Sequence, residues 1–307
     1  MPPIQSPQDV TLAVQAVMQQ TSDPRLREIM TSLVKHLHGF VTEARLTEAE
    51  FRQAAALINE IGQRSNDSHN EAVLMAGTLG VSQLVCLLNN GGVVDDDGSI
   101  QTSQNLLGPF WRMHSPRTEN GGSILRSSTL GEALRVEGLV VDSSGNPIPD
   151  AEVDIWHASP VGLYEQQDDS QADMNLRGKF TTNAEGKFWF TSVKPTGYPI
   201  PTDGVVGRLL TAQNRHPYRP AHLHALIFKE GFKTLISQVY ADDDEHLETD
   251  VQFGVTRATT GHFQKQVDGS YVLQYTYVMQ AGEAVLPKPQ WLAPCIRLCM
   301  RSISCRS

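Results

Sequence analysis

The sequence predicts an α+β protein, an N-terminal all-α helical domain followed by a mostly antiparallel β-sandwich, and three observations predict it. Up to about residue 90, apolar side chains recur at spacings of three and four behind helix-start signals. From about Leu134 the period changes to two, in short runs separated by Gly, Pro, Asn and Asp and without helical patterns between them. Late in that second half, His222 and His224 sit two apart on an apolar run continuing through Ala225, Leu226, Ile227 and Phe228, so both leave one face of a strand.

In chain order, Ser6-Pro7 and Asp23-Pro24 each place a capping side chain before a proline at the first helical position. Thr47 to Glu50 has capping-box spacing. After Asp23, the residues Leu26, Ile29, Met30, Leu33, Leu37 and Phe40 make one apolar stripe. The run from Glu71 to Leu88 is apolar nearly all round, which predicts a helix buried on several sides or used in a subunit contact. Asn89 to Gly98 is turn-forming and acidic; it lacks the EF-hand spacing and its closing Glu, so it reads as a solvated loop. Strands are predicted at Leu134–Val141, Ala151–Trp156, Lys187–Val193, Ala221–Phe228, Thr234–Tyr240 and Ser270–Val278. Short strands at this spacing indicate an antiparallel sandwich or barrel. The acidic run Asp242 to Glu245 reads as a solvated loop. The domains are therefore 1–105, helical, and 106–290, β-sandwich. Residues 291–307 hold three cysteines, three arginines and no acid; a disordered extension or an altered reading frame accounts for them.

The balance of 25 basic against 34 acidic residues gives a net charge of −9 with no Lys/Arg-rich block, which argues against a nucleic-acid partner. No stretch approaches the roughly 18 apolar residues of a membrane helix, and the first residues carry no leader pattern. A cytoplasmic location is expected. Cys86 stands alone and Cys295, Cys299 and Cys305 crowd the end, too uneven for a disulfide scaffold and not a zinc spacing.

Three segments concentrate chemistry-bearing residues: Trp156 to Tyr164, Lys194 to Gly204, and Arg215 to His224. Each sets tyrosine or histidine beside restricted Gly and Pro. A phenol with a pKa near 10 stays neutral unless something removes its proton. A hard cation such as ferric iron can do so, as a metal deprotonates a coordinated water or thiol. Composition and spacing do not choose the metal.

Leu163-Tyr164-Glu165, Leu176 to Phe180, Gly197 to Gly204 and Arg215 to His224 closely resemble the intradiol ring-cleaving dioxygenases of the catechol and hydroxyquinol type, over roughly residues 5 to 290. The resemblance implies that Tyr164, Tyr198, His222 and His224 bind one non-haem Fe(III) per subunit. It gives catalytic roles to Tyr198, as base toward the substrate, to Arg219, stabilising anionic intermediates, and to Gln238. It lines the pocket with Leu74, Gly77, Leu107, Gly108, Pro109, Phe110, Ile200, Pro201, Arg219 and Phe253. It implies a small aromatic diol or triol and O2 as substrates, and a homodimer joined through a helical dimerisation domain with a lipid between the subunits.

Leu107 to Phe110 and Phe253 to Val255 look more like the hydroxyquinol branch, whose product is maleylacetate, than the catechol branch, which gives cis,cis-muconates. Against that, hydroxyquinol enzymes typically carry an aspartate where this chain has Gly77; glycine cannot accept a hydrogen bond from a third ring hydroxyl, and the space suits a substituted catechol instead. Two other readings compete. A cupin-type metal site also uses His-x-His, but its glutamate follows after three or four residues, whereas Glu230 comes after more. A non-catalytic β-sandwich binding module fits Val136 to Ile155, yet would not need both tyrosines and the His-x-His together.

Overall fold

The computed structural model describes residues 4–66, 70–90 and 102–287; the 291–307 tail and most of the acidic 89–98 segment lie outside the described residues. The chain divides into two compact units, Met1–Glu60 and the remainder from Ile61.

The first unit is helical: α1 (Pro7–Met18), α2 (Pro24–Glu43) and most of α3 (Glu48–Arg64). The expected start signals operate. Ser6 and Asp9 form a reciprocal capping box, Asp23 accepts from the amides of Arg25 and Leu26, and Thr47 and Glu50 cap each other before α3. The apolar stripe of α2 faces outward, with Leu33 53% and Phe40 56% exposed, and the buried residue of the helix is Val34, outside the stripe.

In the second unit the run from Glu71 is two helices, not one. α4 (Glu71–Thr78) and α5 (Val81–Asn89) meet at a 76° bend. Gly80 makes the bend at φ +73, a left-handed conformation that glycine adopts without a Cβ penalty. Nor is the run buried all round: Val81, Leu84, Val85 and Leu88 are exposed. Among the described residues no single helix is long and apolar enough to cross a membrane.

The strands are β1 (Ala133–Asp142), β2 (Glu152–Trp156), β3 (Arg177–Thr181), β4 (Lys187–Val193), β5 (Tyr198–Pro199), β6 (Tyr218–Arg219), β7 (His222–Phe228), β8 (Leu235–Ala241), β9 (Thr260–Gly261), β10 (Phe263–Lys265) and β11 (Tyr271–Met279). They form a four-stranded sheet β10-β11-β1-β4, a five-stranded sheet β3-β2-β7-β8-β9, and the small ribbon β5-β6. The six predicted strands are present within a residue at each end, but the sheets are mixed, because β1 runs parallel to β11 and β8 to β9. Parallel pairing needs a long crossover rather than a hairpin, and the chain between β1 and β11 is long enough for one. Contrary to the expectation of no helix among the strands, α6 (Val205–Ala212) lies between β5 and β6. Its first amides are capped from afar, where Glu71 Oε1 of α4 accepts from the Val206 N–H at 2.8 Å.

The core lies between the two large sheets. Val136, Val140, Phe188, Phe190 and Leu273 of one sheet meet Val153, Ile155, Leu223, Ala225, Ile227 and Val239 of the other. Because side chains alternate along β7, the residues between these core positions, His222, His224 and Leu226, are turned to the opposite face, where a second buried cluster forms around Trp156, Tyr164 and Tyr198. β7 is therefore buried on both faces, and its histidines are enclosed without belonging to the main core.

Candidate functional site

Strand register assembles one wall of the site. Trp156 of β2 and Gln238 of β8 pair across His224, and Tyr240 pairs across His222, so all five side chains share a face. The Trp156 indole stacks on the His224 ring at 4.7 Å and 8°. The two tyrosines come from turns. Tyr164 precedes a 3-10 turn at Glu165–Gln167, and the buried Glu165 carboxylate takes two 2.7 Å bonds from Arg177, which ties the turn to β3. Tyr198 opens β5, opposite Arg219 of β6.

These elements bring four donors together. Tyr164 Oη lies 3.1 Å from His224 Nε2 and 3.4 Å from Tyr198 Oη; Tyr198 Oη lies 3.4 Å from His222 Nε2; the two Nε2 atoms are 3.2 Å apart. All four side chains are buried. Gly108 allows the approach of the loop above them: at φ +76 it faces the His224 ring, and a Cβ there would stand 3.2 Å from His224 Cε1. Phe110 stacks on Tyr164 at 4.3 Å, and Leu107 completes the cluster.

The protonation states suit a cation. Burial, and then the nearby Arg219 charge, pushes His222 down to about 3, and burial followed by His222 takes His224 well below its ordinary value. Both imidazoles are neutral. His222 Nδ1–H donates to the Pro220 carbonyl at 2.7 Å, which leaves the Nε2 lone pair pointing inward. Burial raises Tyr164 well above the ordinary phenol value, so without a cation its hydroxyl keeps its proton and donates to His224. Donors about 3 Å apart are what a single small metal at about 2 Å from each would gather. Among the described residues no three His, Cys, Asp or Glu cluster as ligands, and the side-chain oxygens beside the two imidazole Nε2 atoms are those of the two phenols. The donor set, two hard phenol oxygens and two imidazoles, fits ferric iron. Glu230, the acid of the cupin reading, is exposed beyond β7 and takes no part.

Arg219 is buried at the edge of this group. Its Nη1 is 3.5 Å from His222 Nε2; Nε and Nη2 reach Asp250 at 3.2 and 3.3 Å; Nη2 also donates to Gln238 Oε1 at 2.8 Å and to the Tyr240 hydroxyl. Burial pulls the Arg219 pKa down, but Asp250 and then Tyr240 overcome it, and the guanidinium remains charged. Gln238 is held in turn by the Tyr240 hydroxyl and donates to the Leu106 carbonyl. Asn105 donates to Tyr240 and to Gly254 O. Asp250, Tyr240 and Asn105 were missed by sequence reasoning. Tyr240 had a signal, since it stands two after Gln238 on a predicted strand; Asp250 and Asn105 had none.

The other expected pocket positions divide. Leu74 and Ile200 meet in a separate apolar cluster with Val206, Leu210 and Val251. Gly77, one turn after Leu74, faces Gln252. Phe253 is 52% exposed, lies against Gly80 and carries the Arg215 guanidinium over its ring at 5.1 Å. Pro109 and Pro201 are exposed. The acidic run Asp242 to Glu245 faces solvent, yet Asp244 accepts from the Ala221 amide at 2.9 Å and so pins the start of β7.

A family model described as Dioxygenase matches residues 106–282, and one described as Catechol dioxygenase N terminus matches residues 23–93. The chain is 40% identical over 254 residues to a hydroxyquinol 1,2-dioxygenase of Rhizobium sp., covering 82% of this chain and 84% of that protein. It is 36% identical over 260 residues to a catechol 1,2-dioxygenase of Candida albicans, covering 84% of each. Among solved structures, a hydroxyquinol 1,2-dioxygenase from Pseudomonas putida DLL-E4 matches with a TM-score of 0.83 at 32% identity, over 90% of this chain and 99% of that one.

Proposed function

Since the chain belongs to the intradiol ring-cleaving dioxygenases, we propose that it holds one Fe(III) per subunit through Tyr164, Tyr198, His222 and His224 and cleaves hydroxyquinol, benzene-1,2,4-triol, to maleylacetate. Both atoms of O2 enter the product, between the two hydroxyl-bearing carbons. The observation that carries this reading is the convergence of two phenols and two neutral imidazoles within 3.4 Å in a buried pocket. The division into residues 1–105 and a catalytic domain at 106–290 is supported by the family matches on either side of residue 105.

Fe(III), when bound, supplies a hard cationic acceptor for phenolate and catecholate oxygens and opens the ring to attack by O2. The chain's own residues do the rest. Tyr198, on the short ribbon opposite Arg219, accepts a substrate proton at Oη, which replaces the proton its phenolate form lacks. Tyr164, enclosed by Phe110, Trp156 and the Glu165–Arg177 pair, stays in place. Arg219 is a fixed positive charge, preorganised by Asp250 and Gln238, toward which negative charge developing on the cleaved ring is stabilised. Gln238 orients Arg219 and, through its own bond to Leu106 O, the loop carrying Leu107 to Phe110. The stacked Trp156, Phe110 and Leu107 exclude water from the donors.

Gly77 favours a second reading, catechol or a substituted catechol giving a cis,cis-muconate, because glycine offers no side-chain acceptor for a third ring hydroxyl. The test is an anaerobic visible titration of iron-loaded protein with hydroxyquinol and with catechol, followed by admission of O2 and product analysis. A coloured protein whose absorption shifts with hydroxyquinol and bleaches in air to maleylacetate bears the proposal out. Preference for catechol gives the second reading, and a colourless protein inert after iron loading leaves the binding module.

A further inference from the structure

Gly77 has no side chain, and the space where one would begin is taken from another element. A Cβ at position 77 would stand 3.3 Å from Nε2 and 3.4 Å from Cδ of Gln252, so the carboxamide lies directly against the helix face that glycine leaves bare. The placement of Gln252 is not casual. Its own amide donates to Asp250 Oδ1 at 3.2 Å and the Gly254 amide donates to Asp250 Oδ2 at 2.8 Å, so residues 250–254 wrap the carboxylate that grips Arg219. The next residue, Phe253, sits at φ +58, which only the surrounding bonds make tolerable, and this turn aims residue 252 at α4. Its neighbour Val251 packs with Leu74 and Ile200, one turn from Gly77 and two residues from Tyr198 respectively. Gln252 is half-buried, and among the described residues its carboxamide makes no hydrogen bond. A carboxamide enclosed on one side by a glycine, with two donors and an acceptor unspent, is set to bind something polar.

We infer that Gln252 is a specificity-determining residue, whose carboxamide hydrogen-bonds the third hydroxyl of a trihydroxylated ring on the α4 side of the pocket. The inference rests on the proposed reaction. It resolves the difficulty Gly77 raises: the polar contact comes from the 250–254 turn rather than from α4, and an acidic side chain on α4 would need the volume the carboxamide occupies. A ring hydroxyl can donate to Oε1 or accept from Nε2, and a plain catechol presents neither there, so the contact separates the two substrates rather than aiding both.

The test compares wild type with Gln252→Leu and Gln252→Met, both close in volume and unable to make the bond, so that loss of one variant to misfolding leaves the other. For each iron-loaded protein, kcat/KM and the anaerobic dissociation constant are measured for benzene-1,2,4-triol and for catechol. The triol-to-catechol ratio is expected to fall by about five- to tenfold in both measurements, the usual worth of one neutral hydrogen bond. A ratio within twofold of wild type in a folded variant overturns the role of Gln252 while the reaction stands. A wild type that favours catechol overturns the substrate reading, and the change in ratio still decides on Gln252; a wild type that turns over neither diol overturns both.

Discussion

Arg219 shows how a single residue can be both structural and chemical. Its guanidinium is buried and makes an ion pair with Asp250, the arrangement expected of a stabilising bridge, yet the same group reaches to 3.5 Å from His222 Nε2. The two roles use different nitrogens: Nε is committed to Asp250, Nη2 to Gln238, Tyr240 and Asp250, while Nη1 faces the donor group. Lysine could keep the charge but not this fork of donors. Arg219→Lys is therefore expected to retain iron and lose about a hundredfold in kcat, the usual cost of removing one preorganised donor from developing charge. Iron content by metal analysis beside steady-state kinetics checks it, and a variant with near wild-type kcat would remove Arg219 from the chemistry. The residue was legible from the Arg215 to His224 motif, whereas Asp250 was not, because nothing in Thr249-Asp250-Val251 marks it as the partner of an arginine some thirty residues away.

At the scale of elements, the junction after β2 ties the two large sheets together through a buried imidazole. His157 Nδ1–H donates to the Ala158 carbonyl and Nε2 accepts from the Ser192 hydroxyl of β4, both at 2.8 Å. Burial pushes the His157 pKa down to about 4 from its ordinary 6.5, so at neutral pH the ring is uncharged, with one nitrogen giving and one receiving. Above pH 6.5 the ring is neutral folded or unfolded and costs nothing. As pH falls from 6.5 to 4 the unfolded chain takes up a proton that the fold does not, so stability drops, by about 3 kcal/mol for this residue. Urea unfolding at pH 7 and pH 4.5 should show a smaller acid loss for His157→Gln than for wild type; equal losses would assign the effect to other groups. The strand itself was readable from its period of two. The histidine's burial was not, because it depends on β4 approaching from the other sheet.

For the whole molecule, two helices expose rows of large apolar side chains. Leu26, Ile29, Leu33, Leu37 and Phe40 line α2, and Val81, Leu84, Val85 and Leu88 line α5. The family resemblance implies a homodimer joined through the helical region with a lipid between the subunits, and exposed apolar rows of this kind are what such a contact would cover. Light scattering on a sizing column is expected to give twice the 33.8 kDa of the chain, and Leu33→Glu with Leu37→Glu should return the mass of one chain. A monomeric wild type would sink the proposal, and mass spectrometry of the denatured protein reads out any lipid. What the sequence by itself determined is what lies within a turn or a strand: the caps of α1, α2 and α3, the alternation that sends His222 and His224 away from the core, and the ordered Tyr and His motifs that mark the family. What only the tertiary structure decided depends on residues far apart in the chain. Gly80 turns one apolar run into two helices, Glu71 caps α6 from another helix, β1 lies parallel to β11, and Gln252 fills the space beside Gly77. The physical reason is the range of the forces read. Capping, alternation and turn preference act between near neighbours and leave a pattern in the sequence, whereas strand pairing, packing and remote hydrogen bonds join segments whose spacing carries no signal until the chain has folded.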